Sequence, residues 1–167
     1  MVRYKALAGV VALSALAAAC SGGDSDSSAP AEAASETATA PAAPADTGPP
    51  AADDVATLDG VEYASLTGDK TAGKLVFAKC RTCHVTDPGV NRIGPSLAAI
   101  VGHEAGAIKG FNYTDANKNS GITWTEDKLF QYFEKPQRVI PKTKMIFAGL
   151  PDAQQRADLI AYLKDPS

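Results

Sequence analysis

The chain has 167 residues, with 16 Lys or Arg against 19 Asp or Glu and a formal net charge of −3. That length suits one ordinary domain, but the distribution of charge excludes a uniformly folded chain. Residues 1–67 hold Arg3 and Lys5 against nine acids, a balance of −7, whereas residues 68–167 hold fourteen cations against ten acids, a balance of +4.

At the start, Val2-Arg3-Tyr4-Lys5 supplies two positive charges, and residues 6–19 are small and apolar apart from Gly9 and Ser14. This is the form of a secretory signal peptide. A helix of that run spans about 21 Å, short of the roughly 30 Å hydrocarbon layer, so residues 1–19 read as a signal peptide rather than a membrane span. Cys20 is the odd cysteine of three and stands where cleavage would fall. Leu16-Ala17-Ala18-Ala19-Cys20 resembles a bacterial lipobox, with Ala17 where leucine is usual. The resemblance implies that Cys20 is lipidated; an uncleaved anchor and a plain cleaved signal are the alternatives. Several acyl chains hold a protein at a membrane where one does not.

Residues 20–57 are Ala, Pro, Ser, Thr, Gly and acids, with no Lys or Arg between Lys5 and Lys70 and no aromatic between Tyr4 and Tyr63. Such a stretch buries too little apolar surface to offset its ordering entropy, so it is expected to be a disordered tether. A flexible coil of about 45 residues reaches roughly 35 to 40 Å r.m.s., which raises the effective concentration of an attached domain near membrane partners.

The foldable part is residues 58–167. Leu58 to Leu66 offers Val61, Tyr63 and Leu66 for packing, and Asp69 opens a helix expected to run to about Lys79. Leu75, Val76 and Phe77 supply its apolar positions, and the bare backbone of Gly73 permits another helix to cross closely. A second helix follows Thr123-Trp124-Thr125, capped by threonine, favoured by Glu126 and Asp127 at its positive end, apolar at Leu129, Phe130, Tyr132 and Phe133, and stopped by Pro136. The last helix is expected to begin at Pro151 and run through Leu159, Ile160 and Leu163, with the first helix as its partner. Glycine, proline and asparagine-rich loops lie between, so the fold class is all-α, small and loop-rich. A hundred or so residues with so little regular structure need something at their centre.

The chemistry sits just after the first of these helices, at Cys80-Arg81-Thr82-Cys83-His84. Two cysteines two residues apart with a histidine directly after the second is the pattern for covalent attachment of c-type haem. Each thiol adds to a vinyl group and the imidazole reaches iron. A thioredoxin-like pair, half a zinc site and a plain disulfide share the spacing. A zinc site lacks ligands, since the other thiol is Cys20 and the other imidazole His103, and a redox pair lacks an alternating strand and helix frame. A thioether is the usual soft partner of histidine in electron-transfer haems. Met1 being the initiator, Met145 is the sole candidate.

The match extends past the motif. Gly110-Phe111-Asn112-Tyr113-Thr114-Asp115-Ala116-Asn117-Lys118-Asn119, Gly121-Ile122-Thr123-Trp124, the segment around Met145 and Arg156-Ala157-Asp158-Leu159-Ile160-Ala161-Tyr162-Leu163 closely resemble class I cytochrome c, mitochondrial-type and bacterial. With its leader and tether the chain resembles the membrane-anchored bacterial members. The resemblance implies the cytochrome c fold around one covalent haem c, with iron ligated by His84 and Met145. It implies that the Pro95 carbonyl holds the other nitrogen of His84, and that Tyr113 and Trp124, with Thr114 and Thr143, hydrogen-bond a buried propionate. Asn117, Tyr132 and Thr143 would bound a polar pocket beside the Met145 sulfur, and Phe147 would lie against the haem near its exposed edge. Two positions depart from the family. His103 stands where an arginine is usual, exchanging a permanent charge for a titratable one, and Lys142 stands where glycine often precedes Thr143.

The function implied is outer-sphere, one-electron transfer rather than catalysis. Lys79, Arg81, Arg92, Lys142 and Lys144 are expected to form a cationic docking collar for acidic partner surfaces. By resemblance the donor is the cytochrome bc1 complex, and the acceptor a terminal haem-copper oxidase or a photosynthetic reaction centre. The expected site of action is the periplasmic side of a bacterial membrane, as a monomer with no nucleic-acid partner. The rival readings are a haem peroxidase or gas sensor with a displaceable Met145, and a fixed haem subunit of an oxidase.

Overall fold

The structure is a computed structural model describing residues 48–166, so the expected signal peptide, Cys20 and most of the expected tether lie outside the described residues. A 3-10 turn at Tyr63–Ser65 precedes five helices, α1 Lys70–Phe77, α2 Asp115–Lys118, α3 Glu126–Glu134, α4 Pro136–Val139 and α5 Ala153–Lys164. Among the described residues there is no strand, only an isolated bridge between Glu104 and Thr123.

Polar side chains set the helix starts. The carboxylate of Asp69 accepts from the Ala72 amide at 2.7 Å, and the Thr125 hydroxyl accepts from the Lys128 amide at 3.1 Å, each satisfying a donor that the first turn leaves bare. The last helix starts later than expected. Asp152 caps α5 by accepting from the amides of Gln154 and Gln155 at 2.8 and 3.2 Å, and Pro151 lies outside it. Pro136 ends α3 but also opens α4 as its first residue, because a fixed φ and a missing N–H cost nothing there.

The α1–α5 crossing is as anticipated, with Gly73 at its centre. A Cβ on Gly73 would run into the carbonyl of Asp158 and the Cβ of Tyr162. Val76 and Phe77 are buried with it, whereas Leu75 is 74 % exposed and corrects the expectation that it packs inward. Gly73, Val76 and Phe77 share the stripe at i, i+3 and i+4, and Leu75 points away from it.

The segment before Leu58 is a larger difference. The sequence places residues up to 57 in the tether, yet the backbone of residues 51–59 is strapped to α3 and its neighbours. Lys128 donates to the carbonyls of Ala51 and Asp54 at 2.9 and 2.6 Å, Gln131 to that of Ala56 at 2.8 Å, and Arg138 also to Ala56 at 3.1 Å. Glu134 accepts from the amides of Leu58 and Asp59 at 2.7 and 3.0 Å, and Arg156 pairs with Asp59 at 2.6 Å. Lys128, Gln131 and Arg156 are all buried, and Arg156 also lies 4.3 Å from the centre of the Phe130 ring. The strap has no apolar pattern of its own; it is held largely through its backbone groups, which composition does not reveal.

Candidate functional site

After Phe77 the chain keeps winding. Cys80 and Arg81 amides bond the Phe77 carbonyl at 2.8 and 3.2 Å, and Cys83 and His84 amides bond the Cys80 carbonyl at 3.0 and 2.9 Å. Residues at i, i+3 and i+4 of a helical turn share one side, and Cys80, Cys83 and His84 stand in that relation. All three line one cavity of about 260 Å3. Cys80 and Cys83 are free thiols, not a disulfide. Burial, helped by the neighbouring Cys83, pushes the Cys80 thiol up to about 11.

The imidazole of His84 is held from behind. Its Nδ1 lies 2.8 Å from the Pro95 carbonyl, where it acts as donor, and this leaves Nε2 as the nitrogen with a lone pair. Burial lowers its pKa, against the opposing pull of the Pro95 bond, so the ring stays neutral and able to ligate. Gly94 lies flat on the ring, and any Cβ there would collide with three of its atoms. The sequence reading did not single out Gly94, although the Gly-Pro pair ten and eleven places after His84 was the available signal.

The same cavity is lined by Met145 and by Pro95, Tyr113, Thr114, Asn117, Trp124, Tyr132, Thr143 and Phe147, every expected pocket residue. The Tyr132 hydroxyl donates to the Met145 sulfur at 3.4 Å, and the Thr143 hydroxyl accepts from the Met145 amide at 3.2 Å. Thr114 is partly engaged, its hydroxyl accepting from the Asn117 amide at 3.3 Å as the cap of α2, a helix the sequence reading missed. Trp124 packs 4.6 Å from Tyr132 and Phe111 packs 4.7 Å from Tyr113. Burial pushes the hydroxyls of Tyr113 and Tyr132 up to about 12, so both remain donors.

These residues fit a porphyrin. Two thiols, a neutral imidazole and a thioether face one apolar cavity, and the buried Asn117 Oδ1 beside it has no partner within the protein. An amide left so is expected to meet a polar group of something bound there. Among the described residues, no group of three or more His, Cys, Asp or Glu could hold a bare metal ion.

The cationic residues divide. Lys79 and Lys144 line the cavity, together with Ile93 and Ile146, which are 75 % and 100 % exposed. Arg81 and Arg92 instead line a separate hollow behind His84, and Lys142 lines neither. His103 is exposed and outside the lining, its backbone carbonyl accepting from the Trp124 amide at 2.8 Å, so the structure does not bring its imidazole to the pocket.

The chain is similar to known proteins in sequence and in fold. The family model for cytochrome c matches residues 71–166. Cytochrome c2 of Blastochloris viridis is 52 % identical over 97 residues, covering 58 % of this chain and 76 % of that protein. Cytochrome c type-1 of Ascaris suum is 48 % identical over 99 residues, covering 59 % and 88 %. The structure of cytochrome cH from Methylobacterium extorquens superposes with a TM-score of 0.56 at 42 % identity, over 58 % of this chain and 98 % of that one. The chain belongs to the cytochrome c family, which implies a covalently bound haem c, and it is a c-type cytochrome electron carrier.

Proposed function

We propose that this cytochrome is a membrane-tethered one-electron carrier in which His84 and Met145 are the iron ligands. The observation that carries the ligand assignment is the meeting of Cys80, Cys83, His84 and Met145 on one cavity, with the Tyr132 hydroxyl on the Met145 sulfur. Bound there, haem c supplies a couple that gains or loses a single electron. Cys80 and Cys83 fix the group covalently, Pro95 orients His84, and Tyr132 and Thr143 orient Met145 from two sides. The walls Leu129, Phe133, Leu159 and Leu163 exclude water. Two strong ligands leave no position for a substrate, which favours transfer over catalysis.

Ile93 and Ile146 at the cavity edge, flanked by Lys79 and Lys144, form an apolar patch with cationic neighbours, the composition expected of a transient docking site for an acidic surface. The donor proposed is the cytochrome bc1 complex, and the acceptor a terminal haem-copper oxidase or a photosynthetic reaction centre. The proposed place is the periplasmic side of the membrane, through lipid on Cys20. Replacing Met145 by alanine is the direct test of ligation. The ferric holoprotein is expected to lose its sulfur-to-iron charge-transfer band, and its ferrous form to gain carbon monoxide binding. Unchanged spectra would overturn the ligand assignment.

A further inference from the structure

Helix α3 is buried on two opposite sides for two different reasons. Leu129, Tyr132 and Phe133 line the cavity. Lys128 and Gln131, with Glu134 at the end of the helix, form a second stripe that holds the strap of residues 51–59. At about 100° per residue the two stripes are centred roughly 150° apart, but Lys128 and Tyr132, at i and i+4, lie only about 40° apart where the stripes meet. The strap therefore grips α3 beside Tyr132, whose hydroxyl reaches Met145.

We infer that residues 51–59 brace α3 one turn from Tyr132 and so position Tyr132 against the Met145 sulfur, making Lys128 and Gln131 positioning residues for the redox site. This rests on the proposed reading of Met145 as the iron ligand. The Lys128 side chain is almost wholly buried, and within the protein the strap supplies the two carbonyls that hold its ammonium. A buried ammonium without acceptors is costly, so strap and helix stay together. Gln131 is fully buried, and its amide nitrogen reaches both the Ala56 carbonyl and, at 3.4 Å, the Asp54 carboxylate. Tyr132 donates to the Met145 sulfur at 3.4 Å, an ordinary length for a sulfur acceptor. A retreat of α3 lengthens and weakens that bond.

The test uses the full-length holoprotein with Lys128→Met and, separately, Gln131→Leu, both close in volume to the residues replaced. Amide exchange at Leu58 and Asp59, whose amides donate to Glu134, reports whether the strap is released. Strap release is expected to come with a weakened sulfur-to-iron band and carbon monoxide binding to the ferrous form about fivefold faster, the size of a coupling between touching groups. In a Tyr132→Phe background the same substitutions are expected to leave carbon monoxide binding no faster than Tyr132→Phe alone. Release of the strap with an unchanged band overturns the inference, as does an equal strap effect with and without the Tyr132 hydroxyl. A strap still protected in both variants overturns the role given to Lys128 and Gln131. A parent protein lacking the band overturns the ligand reading instead, which separates the two failures.

Discussion

The α1–α5 crossing and the loop that carries Met145 flank the same core but are held by different means. At the crossing, backbone meets backbone, with Gly73 against Asp158 and Gly68 against Ala157. The Met145 loop is held by separate hydrogen bonds from several elements. Gln137 donates to the Met145 carbonyl at 2.5 Å, Lys144 to the Asn112 carbonyl at 2.6 Å, and Tyr132 to the sulfur at 3.4 Å. Close backbone contact has no small adjustments, since one added carbon must displace a helix. A loop held bond by bond changes in steps of about 1 kcal/mol. The rigid crossing presents Cys80, Cys83 and His84, and the adjustable loop presents Met145.

The comparison breaks most sharply at Gly73. Gly73→Ala puts a carbon into the Asp158 carbonyl and against Tyr162, and neither is the end of a flexible side chain. It is expected to destabilise the holoprotein by about 3 kcal/mol, the upper part of the range for overpacking, as read from the midpoint of urea unfolding. A loss below about 1 kcal/mol would show that the crossing gives way easily and that the contrast with the loop is wrong.

A smaller effect sharpens the comparison on the outer side of α3, where Glu126 joins three elements. It accepts from Tyr63 at 2.6 Å and pairs with Lys164 of α5 at 2.7 Å. The Lys164 bond first, and the Tyr63 bond second, hold the Glu126 carboxyl below its ordinary 4.5, more than offsetting burial. Its contribution is therefore fully present above pH 4.5 and is lost as pH falls through the lower folded value. Because both partners are partly exposed, the amount is about 0.5 to 1 kcal/mol. Unfolding midpoints of the parent and Glu126→Gln are expected to differ near neutrality and converge in acid; a constant difference would remove the linkage.

Much of this was legible in the sequence because it depends on spacing. Cys80, Cys83 and His84 at i, i+3 and i+4, the caps Asp69 and Thr125, and Gly73 as a crossing point all follow from local geometry. Every expected pocket residue, from Pro95 to Phe147, reaches the cavity, carried there by the family resemblance. What stayed hidden depends on contacts distant in sequence. Nothing local distinguishes Lys128 and Gln131 from solvated residues of a helix, and the strap they hold has the composition of a linker. Arg81 and Arg92 are close in sequence to Lys79 and to the cavity-lining Ile93, yet they turn into a different hollow, because neighbours along a turn face different ways.

The smallest predicted effect falls in the loop itself, at Lys142. Its φ of 66° lies in the left-handed region, where a side chain costs roughly 1 to 2 kcal/mol and glycine does not pay that penalty. Lys142, where the family often has glycine, thus holds a conformation that glycine adopts freely. Glycine at this position would gain additional unfolded-state freedom, which returns about 0.5 to 1 kcal/mol. Lys142→Gly is therefore expected to stabilise the holoprotein by only about 0.5 kcal/mol. It should leave the crossing untouched and slow amide exchange within residues 141–145. Because Lys142 lines neither cavity, the sulfur-to-iron band should keep its position. A destabilised protein, or a shifted band, would mean that the lysine side chain holds the loop and outweighs the strain in its backbone.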